Sequence, residues 1–219
     1  MIKLSANRKL LKQLTTRKNN EEPCKYKPPQ FMKIGGNIYS VNYDYRTWID
    51  IINLLEELDM ENLTPEANEA DILAALAIVE QIEVKAFSYP LDEDIFRVLR
   101  AVTGFAMGYP EHRNAVDESD KNTRLIDFEI DLSNILIAIR NQSGIDIANH
   151  HGWFHWWLFL LEFNNLTTEH HISKIMELRA YSGDDKDMQK ARDAVALPIK
   201  YTKTEQQEMS NFENMFYNC

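Results

Sequence analysis

Cysteine is nearly absent. Cys24 and Cys219 are the two in 219 residues, one near each end, which excludes a disulfide scaffold and gives no metal-ligand spacing. Long apolar runs are missing too. The longest, Trp153 to Leu161, contains His155 and falls far short of the about 20 residues that a bilayer-spanning helix needs, so no membrane association is expected. No apolar stretch follows the basic start, because Met1-Ile2-Lys3-Leu4 leads into Asn7-Arg8-Lys9, and export is not indicated. The signatures of several enzyme classes are also wanting. Gly35-Gly36 lacks the Lys-Ser/Thr of a phosphate loop, and neither G-x-S-x-G nor H-E-x-x-H occurs, so nothing marks a nucleophile elbow or a zinc protease. No internal period of about 20 to 50 residues recurs, which excludes a solenoid.

What is present is the composition of a globular protein, 44% hydrophobic and 26% charged, on a chain long enough to bury a real core. The net charge of -10 hides an asymmetry. Lys3, Arg8, Lys9, Lys12, Arg17, Lys18, Lys25 and Lys27 face only Glu21 and Glu22 in the first thirty residues, which makes that arm +6 and leaves -16 on the rest. So acidic a body repels a phosphate backbone, and no nucleic-acid binding is expected of it. The arm alone has the charge to touch nucleic acid or an acidic protein surface, but such a charge-biased terminus reads first as a solvated tail.

Residues 1–30 combine a short amphipathic pattern (Leu4, Leu10, Leu11, Leu14) with a polar, Pro-containing linker. Residues 31–198 read as one helical domain opening with a β-hairpin, in which Phe31-Met32-Lys33-Ile34 and Ile38-Tyr39-Ser40-Val41 flank Gly35-Gly36-Asn37. Helical spacing then gives a helix after Asn42 or Asp44 through Leu58, and a second opened by Thr64-Pro65 that runs to Ile82. A third, capped near Asp92, stops at Gly108-Tyr109-Pro110. Residues 111–122 are a polar loop. Asp127 caps a fourth helix that ends at Gly144, and a fifth spans about Asn149 to Asn164. Thr167 or Thr168 caps the sixth, through Arg179, and a charged seventh runs from Asp185 to Leu197, followed by a polar tail over 199–219. The expectation is a mainly α fold, a bundle of six or seven helices with a small N-terminal hairpin.

Three of the four tryptophans lie in Gly152-Trp153-Phe154-His155-Trp156-Trp157-Leu158-Phe159-Leu160-Leu161. Burying such side chains contributes roughly 1.5 to 3 kcal/mol each, so the segment is either a central core helix or a partner-binding face. Aromatics at 153, 154, 156, 157 and 159 cover too much of the circumference for one stripe, which favours burial nearly all round. His151 and His155, four apart, could hold zinc with His170 and His171. The absence of a carboxylate between them and the surrounding indoles favour a packing role, and no metal or cofactor is expected. Asp127, Glu129 and Asp131 cluster at a helix start, where the dipole already favours acids without any catalytic pair.

Five segments form an ordered series: Ile38-Tyr39-Ser40-Val41-Asn42-Tyr43-Asp44-Tyr45-Arg46-Thr47-Trp48, Ile126-Asp127-Phe128-Glu129-Ile130-Asp131, Gly144-Ile145-Asp146, Phe154-His155-Trp156-Trp157-Leu158-Phe159, and Ile175-Met176-Glu177-Leu178-Arg179. Over residues 31–198 the chain resembles the phage gene-product-fifteen family, small proteins encoded between the major tail protein and the tape measure of long-tailed phages of Gram-positive hosts. The basic arm and the segment after Pro198 look longer than the family needs.

The resemblance implies a non-enzymatic tail assembly chaperone that binds the tape measure protein and helps the major tail protein polymerise around it. It would work in the host cytoplasm and be absent from the mature virion. A long client with exposed apolar helix faces must be covered reversibly, which many modest contacts achieve better than one tight site and which argues for multiple copies or a homo-oligomer. On this reading Trp48, Trp153, Trp156 and Trp157, or their neighbours, line client-binding grooves. The alternative is a structural virion component, a tail completion or connector protein.

Overall fold

The computed structural model describes residues 28–60, 62–108, 124–150 and 152–217. The basic arm, the polar loop after Pro110 and His151 therefore lie outside the described residues. The described chain is mainly α, with eight helices and one two-stranded antiparallel hairpin. It divides into two compact units, Pro29–Met107 with Ile199–Cys219, and a second whose described part lies within Gly108–Pro198.

The first, the hairpin unit, opens with β1 (Phe31–Ile34) and β2 (Asn37–Ser40), paired so that Met32 faces Tyr39 and Ile34 faces Asn37. Strand alternation buries Met32 and Ile34 and leaves Phe31 and Ile38 on the other face, in solvent. Asp44 caps α1 (Tyr45–Leu55) by accepting from the Arg46 amide at 3.0 Å. The second helix, α2 (Glu69–Ala86), starts later than Thr64-Pro65 suggests. Asn68 accepts from the Asp71 amide at 2.9 Å while its own amide donates to the Asp71 carboxylate at 2.6 Å. That reciprocal pair satisfies the first turn and outcompetes Thr64 as the cap.

Of the acids near Asp92, it is Asp94 that caps α3 (Ile95–Ala106). The core of this unit joins Tyr45, Trp48 and Ile51 of α1 to Ile78 and Ile82 of α2 and Leu99, Val102 and Phe105 of α3.

The second, the tryptophan unit, starts with α4 (Phe128–Ser143), capped by Asp127 and closed by Gly144 at φ 77. That left-handed conformation favours glycine at the helix end. The expected start of the next helix at Asn149 is corrected: α5 spans Trp156–Asn164. Gly152 at φ 124 interrupts the helical path, and the His155 Nδ1 accepts from the Trp157 amide at 3.0 Å, so the helix begins at its ring. Helix α6 (His171–Arg179) and α7 (Lys186–Ala194, capped by Asp185) complete the unit.

Residues after Pro198, read from the sequence as a polar tail, carry the eighth helix, α8 (Lys203–Tyr217). Lys200 and Lys203 pair with Glu56 and Glu57 at 2.8 and 3.1 Å, and Thr204 donates to Asp71 at 2.5 Å. These polar anchors hold its first turn to α1 and α2, and no apolar periodicity advertised them.

Candidate interaction surface

Trp48 is fully buried in the hairpin unit. Its ring stacks on Phe105 at 4.4 Å between centroids, and Nε1 donates to the Asn42 carbonyl at 2.7 Å. Asn42 is held in turn by donating to Thr47 Oγ1 at 2.9 Å, so the indole donor finds its partner inside a fixed turn.

Trp156 belongs to the tryptophan unit and is also fully buried, stacked on Phe159 at 5.4 Å and edge-on to Phe128 at 6.0 Å. Phe163 stacks on Phe159 at 6.5 Å and extends the cluster. Every residue of α5 is buried or half-buried, Trp157 among the latter. Trp153, by contrast, is 60% exposed, on the loop that precedes α5. The four indoles named from the sequence are thus divided between the units. Trp48 and Trp156 are core side chains, and Trp153 presents the most indole surface.

The loop before Trp153 is pinned at its start. Asp146 accepts from the Asn149 side chain at 3.0 Å and from its amide at 3.2 Å, and these two bonds hold its carboxyl below the usual carboxylate range. His155 is a buried helix cap whose ring is taken up by the Trp157 amide, and the His151 named with it as a zinc pair lies outside the described residues. His170 lies 3.0 Å from Gln142 Oε1, which also accepts from the Thr167 amide at 2.9 Å. Among the described residues no three His, Cys, Asp or Glu side chains converge as metal ligands would. None of the described helices is long and apolar enough to cross a membrane.

Of the acids at the start of α4, only Glu129 is exposed. Asp131 is buried and takes Arg179 of α6 in a two-pronged pair, at 2.6 and 3.2 Å, while its Oδ2 also accepts from the Asp127 amide at 2.9 Å. Arg179 also donates to the carbonyls of Val195 at 2.8 Å and Leu125 at 2.9 Å. One guanidinium therefore ties α6 to the start of α4 and the end of α7. Sequence reasoning assigned Asp131 to the helix dipole alone. The missed signal was the stripe: Asp131 precedes buried Ile135 by four residues, and Arg179 follows buried Ile172 by seven, so both charges occupy core positions.

A second buried acid is Glu162 on α5. Burial pushes its carboxyl above the ordinary glutamate range, against a hydrogen bond with Ser143 that pulls it down. A folded-state value above the unfolded one means the folded protein binds the proton more tightly. This stabilising contribution is complete below the unfolded value and is lost as pH rises through the folded one. Glu162→Gln is therefore expected to melt above the wild type at pH 8, with the gap closing toward pH 4. Thermal melts across that range check it, and a variant that melts lower at pH 8 contradicts it.

Large apolar side chains remain in solvent on both units: Leu73, Val84, Met209 and Phe212 on one, Ile130, Ile137 and Trp153 on the other. The buried side chains of Asp44, Asp127, Asp131 and Arg179, meanwhile, serve helix ends and ion pairs. The fold and these surfaces define a mainly helical protein with apolar surface left open on two separate cores. The chain belongs to the bacteriophage Gp15 protein family, whose model matches residues 28–203, most of its length. It is thus a phage protein of the structural or assembly kind. No curated protein and no solved structure matches it.

Proposed function

We propose that this protein is a tail assembly chaperone that binds the tape measure protein and helps the major tail protein polymerise around it, without making or breaking a bond. The observation that carries this reading is the open apolar surface on both units, with Leu73 57%, Val84 85% and Trp153 60% exposed. Isolated exposed apolar residues are ordinary, but recurrence along one helix and at a solvent-facing indole is the pattern of a partner surface. Of the four indoles, Trp153 is the anchor this reading uses first, and the half-buried Trp157 comes second. Trp48 and Trp156 support the units from within. Family membership supplies the phage context, and two open surfaces on one chain suit a client with many similar helical segments, which favours several copies per client.

Co-expression with the tape measure protein of the same phage tests the reading. The client is expected to move from inclusion bodies to the soluble fraction and to be retained by the tagged protein, with Trp153→Ala weakening retention several-fold. A client that stays insoluble whether or not this protein is present contradicts it. Mass spectrometry of purified virions is expected to find the chain absent, and stoichiometric copies there would assign it to the particle instead.

A further inference from the structure

Helix α2 is apolar on two opposite arcs. Ala75, Ile78, Val79, Ile82 and Ala86 are buried on one. At 100° per residue, Leu73, Ala77, Glu80 and Val84 fall on the other, with Leu76 and Glu69 beside them, and all six are exposed. A helix with apolar residues on all sides ordinarily has both sides covered, and here only one is. The 18 residues of α2 make a ridge about 27 Å long.

Its electrostatic character is one-signed. The two charges on the outward arc, Glu69 and Glu80, are both acids, while Lys85 is turned aside to Asp50 at 2.8 Å. The sequence of the whole unit, 29–107 with 199–219, holds 17 Asp and Glu against 7 Lys and Arg. Helix α8, held to Asp71 at the start of α2, repeats the combination with Met209 and Phe212 exposed beside exposed Glu205 and Glu208. An acidic partner would meet like charge at both positions, whereas a basic flank finds a counterpart at Glu69, ahead of Leu73, and at Glu80, between Ala77 and Val84.

We propose that the outward face of α2 seats a partner helix whose apolar stripe is flanked by Lys and Arg. This rests on the reading that the protein binds helical clients, and it names the face and the charge those clients present. Leucine and valine on the ridge supply burial, and Glu69 and Glu80 select the charge of the incoming helix. Because the ridge side chains are already in solvent, replacing them leaves the thermal melt where it is in the wild type, so the test separates binding from stability.

The test uses the full chain and two synthetic 18-residue amphipathic peptides with the same leucine stripe, one flanked by Lys and Arg and the other by Glu, followed by fluorescence anisotropy. The basic peptide is expected to bind at least tenfold tighter than the acidic one, with the preference shrinking at high salt. Leu73→Gln with Val84→Gln is expected to lose binding at least tenfold, and Glu69→Lys with Glu80→Lys to invert the preference. Equal binding of both peptides, or wild-type binding by either double variant, overturns the proposal. A dimer in the wild type that the Leu73→Gln, Val84→Gln variant abolishes would give the face to a second copy and likewise overturn it. Retention of the tape measure protein separates this proposal from the broader reading. If the Gln variant retains that client as the wild type does, the α2 assignment falls and the chaperone reading stands. If the wild type fails to retain it while the basic peptide still binds α2, the chaperone reading falls and the face stands.

Discussion

Arg179→Ala is expected to destabilise the tryptophan unit by about 3–5 kcal/mol, because it leaves Asp131 buried without its countercharge. The pair is 2% and 6% exposed at its two side chains, so water cannot take the place of the guanidinium. The same change also strips donors from the carbonyls of Leu125 and Val195, and each orphaned acceptor adds its own desolvation cost. Against a typical total of about 5–15 kcal/mol, this is enough to unfold a marginal unit outright. Urea denaturation followed by circular dichroism measures it. The double variant Asp131→Leu, Arg179→Met is expected to recover only part of the loss, since Asp131 also accepts the Asp127 amide. An Arg179→Ala protein within 1 kcal/mol of the wild type, a bound taken from exposed ion pairs, would show the pair to be solvated.

Trp156→Ala is expected to cost about 3–5 kcal/mol through lost burial and the cavity left behind. Trp156 is fully buried, and its loss removes ring contacts at 5.4 and 6.0 Å, to Phe159 and Phe128. Trp153→Ala, three residues earlier on a surface that is 60% exposed, is expected to cost less than about 1 kcal/mol, as exposed positions usually do. Denaturation of the two variants side by side checks the contrast. Equal losses would mean that the loop indole is packed as firmly as the helical one. The contrast bears on function, because only a residue that the fold does not need can be assigned to a partner.

The segments by which the family could be read in the sequence turn out to be the fold's fastenings. Asp44 caps α1, Asn42 receives the Trp48 indole, Asp127 caps α4, Gly144 closes it, His155 opens α5, and Asp131 and Arg179, from two separate segments, meet in one buried pair. Caps and glycine stops are local chemistry, so they are legible in a single chain. The helices bounded by Asp44, Asp127 and Gly144 are accordingly legible with small shifts at their ends, whereas α5 starts seven residues later than its spacing suggests. Where local signals competed, as between Thr64 and Asn68, the geometry of one reciprocal hydrogen-bonded pair decided, and spacing alone does not show it.

Helix α8 was invisible for a different reason. Its described residues from Glu205 to Phe212 are all exposed, so no buried stripe marks it, and its anchors are ion pairs reaching 144 residues back to Glu56. The candidate surface was legible only as a surplus of large aromatics. Periodicity could say that α5 is covered on all sides. It could not say that Trp153 lies outside the helix, because that depends on Gly152 and on a histidine ring acting as a cap.

The central claim is that this chain shelters another polypeptide's apolar helices. Light scattering on a size-exclusion column, applied to the full chain mixed with the tape measure protein of the same phage, tests it most directly. The account predicts a soluble complex with several copies of this protein on each client chain. A client that elutes alone or aggregates, with this protein running unchanged beside it, would contradict the account.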